Sequence, residues 1–138
     1  MPDAFAYRHR LTVRFRDCDS MGHANHAVYF TYMEESRLTF WKKLTGQARP
    51  PETRVILAHA ECDYRAPALF GEELEVRMQI GDIGRSSFVQ LYEIVKTADG
   101  TRIADGKTVM VCYDYQTSKS VPIPDAARAE LARLQVKA

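Results

Sequence analysis

The stretch AVYFTYMEESRLTFWKKL, residues 27–44, has the residue spacing of an α-helix with one broad apolar face. The apolar side chains that recur at helical intervals are Tyr29, Phe30, Tyr32, Met33, Phe40, Trp41 and Leu44. The charged side chains gather away from that face and are Glu34, Glu35, Arg37, Lys42 and Lys43. Asn25 is suited to cap the start of the helix, and Gly46 to end it. The pattern predicts one helix of about five turns, which needs a large concave partner.

Segments on both sides of this helix predict strands that could form the partner. Residues 7–15 alternate between apolar and polar side chains, which is typical of a half-buried strand. A connector with two prolines follows the helix at 48–54. Four strand-like segments come after it, at 55–64, 72–83, 86–97 and 102–115. Asp99-Gly100 is typical of a hairpin turn, and residues 122–134 predict a short C-terminal helix.

This order of elements predicts an α+β fold. One antiparallel five-stranded sheet wraps around the long helix, and the short C-terminal helix lies beside it. The chain has 138 residues and no linker-like segment, so residues 1–138 are predicted to form a single domain. An open sheet leaves exposed edges, and pairing of two chains through an edge strand is the expected remedy.

Composition excludes several classes of protein. Hydrophobic residues make up 46% and charged residues 27%, as in ordinary globular domains. The net charge of +1 supplies no field that would attract nucleic acid or a membrane surface. The apolar runs are too short for a membrane-spanning helix or a signal peptide, so we expect a cytoplasmic protein. Cys18, Cys62 and Cys112 lack paired spacing and are expected to be reduced thiols.

The loop DCDSMGHANH, residues 17–26, contains the residues best suited to chemistry. It ends at the predicted helix start, where free backbone N–H groups and the positive end of the helix dipole favour negative charge. Such N–H groups can stabilise the oxyanion of an acyl transfer, and removing one donor costs about 2.7–4 kcal/mol. Asp17 and Asp19 are close enough in sequence to supply a base or a nucleophile at the same point.

The loop and the helix start, DCDSMGHANHAVY at 17–29 followed by ESR at 35–37, resemble the signature of one enzyme family. This family comprises the hotdog-fold acyl-CoA thioesterases of the 4-hydroxybenzoyl-CoA thioesterase type. The resemblance continues through DYRAPA at 63–68, GEEL at 71–74, IGRSSF at 83–88 and the closing strand at 106–115. It implies the hotdog fold, hydrolysis of an acyl-CoA, no cofactor, and a homodimer or homotetramer with its active site between subunits.

The resemblance also implies roles for two loop residues. The second aspartate of the family's Asp-x-Asp pair is catalytic, which is Asp19 here, acting as a nucleophile or as a base for water. The residue at the first turn of the helix, here His26, would offer its backbone N–H to the thioester oxygen. Many relatives have Asn at this position, so we expect His26 to affect substrate choice more than catalysis. Capping of a turn is the alternative role for Asp19.

Three further residues are candidates for supporting roles. Asp17 continues the buried side of the first strand, which favours a structural role. His23 could pair with His26 at a metal, but no third ligand is obvious, so no metal site is predicted. Glu35 matches a recurrent acidic position of the resembling family. It could be an alternative base, as could its neighbour Glu34, or could form a structural ion pair, for example with Arg37.

Substrate contacts are predicted at four residues. Arg85 lies in the tight turn between two strands and matches a basic CoA-contacting position in related thioesterases. It is the predicted contact for the CoA phosphates, the alternative being an ordinary exposed arginine, and Ser87 is a further predicted substrate contact. Arg65 is a second phosphate candidate. Tyr29 is predicted to line the acyl pocket, with packing in the core as the alternative.

These inferences predict an acyl-CoA thioesterase that releases a free carboxylic acid and CoA. Two alternatives remain open from the sequence: a non-catalytic hotdog module that binds an acyl-CoA or a partner protein, and a hotdog hydratase or dehydratase. The length and aromaticity of the acyl group, the choice between CoA and acyl carrier protein, and the choice between a dimer and a tetramer are not determined by these patterns.

Overall fold

The computed structural model describes residues 5–45 and 55–135. Strand β1 is Tyr7–Thr12, and a short 3₁₀ helix follows at Phe15–Asp17. The remaining elements, in chain order, are α1 (Val28–Thr45), β2 (Val55–Tyr64), β3 (Glu73–Ile83), β4 (Ser87–Lys96), β5 (Arg102–Asp114), β6 (Lys119–Ser120) and α2 (Asp125–Leu134). The predicted Gly46 stop, the connector at 48–54 and the side chain of Leu44 fall outside what is described.

The strands form one antiparallel sheet in the order β1-β3-β4-β5-β2, and the two-residue β6 pairs with β5. The predicted hairpin between β4 and β5 is present, with Gly100 at a φ of +74°. The predicted hotdog arrangement, a sheet of five strands around a long helix with a short C-terminal helix, is confirmed. Strand β6 was not predicted.

The end of the first strand was predicted wrongly. β1 stops at Thr12, and Phe15 is 77% exposed although the alternation placed it on the buried side. The Asp17 carboxylate accepts the Arg14 backbone N–H at 2.9 Å and turns the chain into the 3₁₀ helix. Phe15 therefore points outward and packs edge to face on Phe70, with the ring centroids 5.8 Å apart.

Helix α1 packs its apolar face against the concave side of the sheet. Tyr32 and Met33 are fully buried, and Trp41 contacts Phe88 of β4 with the ring centroids 5.8 Å apart. The approach to β5 is closest at Gly106, where a Cβ atom would collide with the end of the Met33 side chain. The helix is therefore held tightly along its length, which fixes the position of its first turn.

One charged residue of α1 does not follow the predicted pattern. Arg37 was predicted on the polar side of the helix, but it is only 8% exposed. Its guanidinium contacts Tyr92, which lies in a buried polar cluster on the sheet. Helical spacing could not reveal this placement because the polar residues of that cluster come from strands 50 to 70 residues further along the chain.

The two edges of the sheet differ. At the β1 edge, the exposed Arg8 and Arg10 lie over the β3 carboxylate of Glu75, at 2.7 and 3.2 Å. At the other edge, β2 has no lysine, arginine or proline, and its Ile56 and Leu57 are 39% and 46% exposed. Lysine, arginine and proline protect an edge strand from pairing with another chain, so β2, whose only charged side chains are Glu61 and Asp63, is the less protected edge. None of the helices formed by residues 5–45 and 55–135 is long and apolar enough to cross a membrane.

Candidate active site

The loop before α1 folds into a small hairpin. The Asn25 N–H donates to the Asp17 carbonyl at 2.8 Å, and the Asp19 N–H donates to the His23 carbonyl at 3.1 Å. Between these bonds, the Gly22 N–H donates to the Asp19 carbonyl at 3.0 Å. Gly22 has a φ of +87°, a conformation that glycine adopts without strain. The hairpin brings the predicted acid, Asp19, into the same compact unit as the start of the helix.

The hairpin is attached to the rest of the fold at its base. The Ala24 N–H donates to the Ala68 carbonyl at 2.8 Å, and His23 forms a bridge with Leu69. The His23 ring is half-buried, and its Nδ1 atom lies 3.4 Å from the Ala24 carbonyl oxygen. This places His23 at the base of the hairpin, where its contacts are with the loop backbone.

Asp17 is buried and holds the hairpin to the helix. Its Oδ2 atom accepts hydrogen bonds from the Arg14 N–H and from the Tyr32 hydroxyl, both at 2.9 Å. Burial opposes ionisation of this carboxyl, but the bonds from Arg14 and Tyr32 and the charge of Arg14 together lower its pKa. Burial and the bond to Asp17 raise the pKa of Tyr32, which therefore remains a hydrogen-bond donor. These contacts are those of a structural carboxylate.

Asp19 has a more open environment. It is half-buried, and its Oδ1 atom accepts the Met21 N–H at 2.9 Å. Among the residues that the structure describes, no donor reaches its Oδ2 atom. The turn-capping role and the catalytic role are therefore compatible, because the cap uses one oxygen and leaves the other for a water or a thioester carbon.

The first turn of α1 has an available donor. Asn25 caps the turn, with its Oδ1 atom 3.0 Å from the Ala27 nitrogen and its carbonyl oxygen 2.9 Å from the Val28 nitrogen. The intervening His26 N–H donates to no acceptor within the described part of the chain. The predicted oxyanion donor is thus unpaired at the positive end of the helix.

Tyr64, at the end of β2, was not predicted and holds the same turn from the opposite side. Its hydroxyl donates to the His26 carbonyl at 2.8 Å. Burial raises the pKa of Tyr64, so the hydroxyl stays protonated at neutral pH. The only sequence signal was that Tyr64 lies inside the DYRAPA segment; its contact with a residue 38 positions earlier requires the fold.

The other predicted residues of this end of the molecule are engaged in protein contacts. The Tyr29 ring is 3% exposed and packs edge to face on Tyr64, with the ring centroids 5.1 Å apart. These contacts are those of the core-packing alternative. Arg65 is paired with Asp105, with its Nε atom 2.9 Å from Oδ2. A phosphate contact by Arg65 would have to compete with that carboxylate.

Glu35 is an ion-pairing residue in the structure. It lies 3.4 Å from His9 and 3.4 Å from Arg14. The expectation that Glu35 pairs with Arg37 is wrong, because residues two positions apart lie on nearly opposite sides of a helix. Glu35 faces β1, whereas Arg37 is buried beside Tyr92.

Arg85 lies at the opposite end of the sheet, on the turn between β3 and β4. Its side chain is exposed and makes no ion pair or hydrogen bond with any described residue. The turn is closed by the Gly84 N–H, which donates to the carbonyl of the half-buried Ser87 at 2.7 Å. Arg128 of α2 donates to the carbonyls of Gly84 and Arg85 at 2.8 and 2.9 Å. No sequence pattern indicated that α2 supports this turn.

The thiols and metal-ligating residues offer no second centre. Cys18, Cys62 and Cys112 are free, and burial raises the pKa values of Cys62 and Cys112. Within residues 5–45 and 55–135, no three His, Cys, Asp or Glu side chains are grouped as metal ligands. Asp19 and the His26 N–H belong to the same loop and helix start, and each keeps hydrogen-bonding capacity that no described residue uses.

Residues 13–131 match the sequence profile of the thioesterase-like superfamily. The chain belongs to the thioesterase-like superfamily. It is 27% identical over 124 residues to 1,4-dihydroxy-2-naphthoyl-CoA hydrolase of Synechococcus elongatus, covering 86% of this chain and 90% of that protein. It is 23% identical over 130 residues to the long-chain acyl-CoA thioesterase FadM of Escherichia coli, covering 91% and 96%.

A solved thioesterase-like structure covers the chain from end to end. This is a thioesterase of Thermus thermophilus in complex with coenzyme A and Zn, with a TM-score of 0.86, 30% identity and 99% coverage of both chains. Membership of the thioesterase-like superfamily confirms the predicted enzyme class, a thioester hydrolase. The narrower 4-hydroxybenzoyl-CoA type stays a prediction.

Proposed function

We propose that this protein hydrolyses acyl-CoA thioesters to a free carboxylic acid and CoA, with Asp19 as the catalytic carboxylate. The observation that carries the proposal is the unpaired His26 N–H at the start of α1, next to a hairpin in which one Asp19 oxygen has no donor among the described residues. The names of relatives that act on acyl-CoA, and the Thermus structure with bound coenzyme A, support CoA as the carrier.

The chemistry needs few groups because a thioester carbonyl is already electrophilic. With its oxygen at the His26 N–H, the carbonyl would be polarised and the developing negative charge stabilised. Asp19 would then attack the carbonyl carbon and form an anhydride that water hydrolyses, or would take a proton from an attacking water. In both routes the C–S bond breaks and the sulfur leaves with a proton as the CoA thiol.

The proposed assembly is a dimer that pairs through the β2 edges. This strand has ten residues, exposed apolar side chains and no lysine, arginine or proline, and its two carboxylates, Glu61 and Asp63, lie near its Tyr64 end, whereas β1 carries exposed arginines. A two-fold axis would pair β2 with its copy in the antiparallel sense. The Val55 end of the partner's strand would then lie next to the Tyr64 end of this one.

This arrangement would place Arg85 at the active site of the partner subunit. Ser87, beside the Arg85 turn, is in register with Val111, and Val55 with Cys112, so the turn lies at the Val55 end of the sheet. The helix start lies at the Tyr64 end, about 30 Å away for a ten-residue strand. Across the paired edges, the same turn of the partner would lie about three strand spacings away, roughly 14 Å.

The experiment that tests the function is release of free thiol from a panel of short, long and aromatic acyl-CoAs. We expect turnover on at least one member, and we expect Asp19→Asn to lower kcat by about 10²–10⁴ without loss of the folded structure. Asp82→Asn, an exposed carboxylate at the end of β3, is the matched control and should leave kcat unchanged. Parent-like turnover by Asp19→Asn would reject Asp19 as the catalytic carboxylate, and binding without turnover of any thioester would indicate a non-catalytic module.

A further inference from the structure

Arg37 is a buried cation that forms no ion pair with any described residue of its own subunit. The residue is 8% exposed, and no carboxylate lies within 4 Å of it in residues 5–45 and 55–135. It contacts Tyr92, whose hydroxyl lies 2.9 Å from the Thr108 hydroxyl and 3.2 Å from the side-chain oxygen Oε1 of Gln90. These partners are neutral. A guanidinium removed from water is costly unless an anion compensates it.

The side chain of Arg37 borders a groove of about 150 Å³ between α1 and β2. The groove has apolar walls at Phe30, Leu57 and Ala60, and Glu34 lies on its rim, one helical turn before Arg37. Glu34 is exposed and has no lysine, arginine or histidine within 4 Å in the described part of the chain. The groove therefore presents one cation and one anion, neither of which forms an ion pair with a described residue of the same subunit.

The two charges lie on either side of the helix midpoint, which faces the middle of β2. The start of α1 is held at the Tyr64 end of β2 by the bond from Tyr64 to His26, and Trp41 near its other end packs on Phe88. Phe88 and Leu57 both pair with Met110 of β5, so Trp41 lies towards the Val55 end of β2. The helix and the strand thus run in opposite directions with their middles opposite each other.

A two-fold axis through the middle of β2 would place the midpoints of the two helices face to face and antiparallel. Under that symmetry, a residue on one side of the midpoint meets the residue on the other side in the second copy. Glu34 and Arg37 are such a pair, and their charges are opposite. The groove surface is therefore complementary in charge to itself, which identifies a second copy of this chain as the occupant.

We infer that Arg37 forms an ion pair with Glu34 of a second copy, and that this pair occurs twice across the dimer. The inference rests on the β2-paired dimer of the proposed function and adds the charged pair that fixes its register. It gives a role to a buried arginine that no carboxylate of its own subunit contacts within 4 Å among the described residues. Breaking one partner of such a pair leaves an uncompensated buried charge in the assembly.

The test is a double-mutant cycle on the dimer dissociation constant, measured by sedimentation equilibrium over a dilution series. Glu34→Lys places a cation against Arg37 of the partner subunit, and we expect the constant to rise by at least about 100-fold. Glu34 is exposed within its own subunit, so this change should not disturb folding. In an Arg37→Met background, the further effect of Glu34→Lys should fall below about tenfold.

Glu130→Lys is the matched control, since it makes the same charge change at a half-buried position of α2, outside α1 and β2, and should leave dimerisation unchanged. If the Arg37→Met variant does not fold, the dissociation constants of the Glu34→Lys and Glu130→Lys dimers are compared, and only Glu34→Lys should weaken dimerisation. The ion pair alone is overturned if Glu34→Lys leaves the dissociation constant of the wild-type dimer unchanged. It is also overturned if this change has the same effect on the dissociation constant in the wild-type and Arg37→Met backgrounds. A wild-type monomer overturns the ion pair together with the β2 interface, while thiol release reports on the thioesterase function independently.

Discussion

Asp17 and Asp19 are separated by one residue and have opposite environments. Asp17 is buried and accepts bonds from the Arg14 N–H and the Tyr32 hydroxyl. Asp19 is half-buried and keeps one oxygen clear of donors among the described residues. The first arrangement suits a carboxylate that holds the loop to the helix, and the second suits one that must reach a substrate. This difference agrees with the role that we propose for Asp19.

At the residue scale we predict that Asp17→Asn destabilises the fold. At pH 7 we expect the free energy of unfolding to fall by about 1–3 kcal/mol, because a charged acceptor of two hydrogen bonds is replaced by a neutral amide. The pKa of Asp17 is lowered from 3.8 by folding. Its stabilisation is therefore complete above that value and is lost as pH falls below about 4.

The measurement is urea unfolding of the wild type and of Asp17→Asn between pH 3 and pH 7. The difference between the two proteins should shrink towards low pH. Asp82→Asn, at an exposed carboxylate, should follow the wild type at every pH. A difference that stays constant across this range would mean that the ionised Asp17 is not the stabilising species.

At the element scale, periodicity predicted the strong elements within one or two residues and failed where a single contact overrides it. The predicted helix at 27–44 is α1 at Val28–Thr45, and the predicted strand at 55–64 is β2. The first strand ends early because the Asp17 carboxylate captures the Arg14 N–H and turns the chain, which alternation of polarity cannot express. Tyr64 and Arg37 were missed for the same reason, since their partners are distant in sequence.

Helix α2 supplies a prediction at this scale, through its bond to the β3–β4 turn. Arg128→Met removes the donor to the carbonyls of Gly84 and Arg85, so the backbone of the turn that carries Arg85 should lose its fixed position. We expect the KM for an acyl-CoA to rise about 3- to 30-fold with little change in kcat. The KM for the matching acyl-pantetheine, which lacks the nucleotide phosphates, should be unchanged.

Arg133→Met is the control, since Arg133 lies on the same helix and pairs only with Glu130 among described residues. A general loss of stability would affect both thioesters alike. Equal increases of KM for acyl-CoA and acyl-pantetheine in Arg128→Met would therefore exclude Arg128 as a positioning residue for the phosphate contact.

At the scale of the whole molecule, the sheet separates the predicted parts of the site. The hairpin with Asp19 and the helix start lie at the Tyr64 end of β2, and the Arg85 turn lies at the Val55 end. The sequence predicted both pieces but not their separation, because strand registers depend on pairings between distant segments. A dimer paired through β2 would bring the two pieces together from different subunits.

Complementation between inactive variants tests this arrangement. Arg85→Ala and Asp19→Asn are each expected to be poor enzymes at low acyl-CoA concentration. Unfolded together and refolded as a mixture, they should form heterodimers in which one of the two sites has both residues intact. Random assembly would then recover about a quarter of wild-type activity. Mass spectrometry checks that heterodimers have formed. If they form and no activity is recovered, Asp19 and Arg85 act in the same subunit's site.

The unpaired amide of His26 has a consequence for inhibition. In the free enzyme a water molecule can accept the hydrogen bond from this N–H. A planar thioester must displace that water, and its neutral carbonyl oxygen accepts a hydrogen bond only slightly stronger than the one lost. A ligand with a tetrahedral centre and a full negative charge on its oxygen, such as the ionised hydrate of a trifluoromethyl ketone, gains more from the same donor and from the positive end of the helix. Compounds of this kind, built on the pantetheine arm, should bind more tightly than the substrate that they imitate.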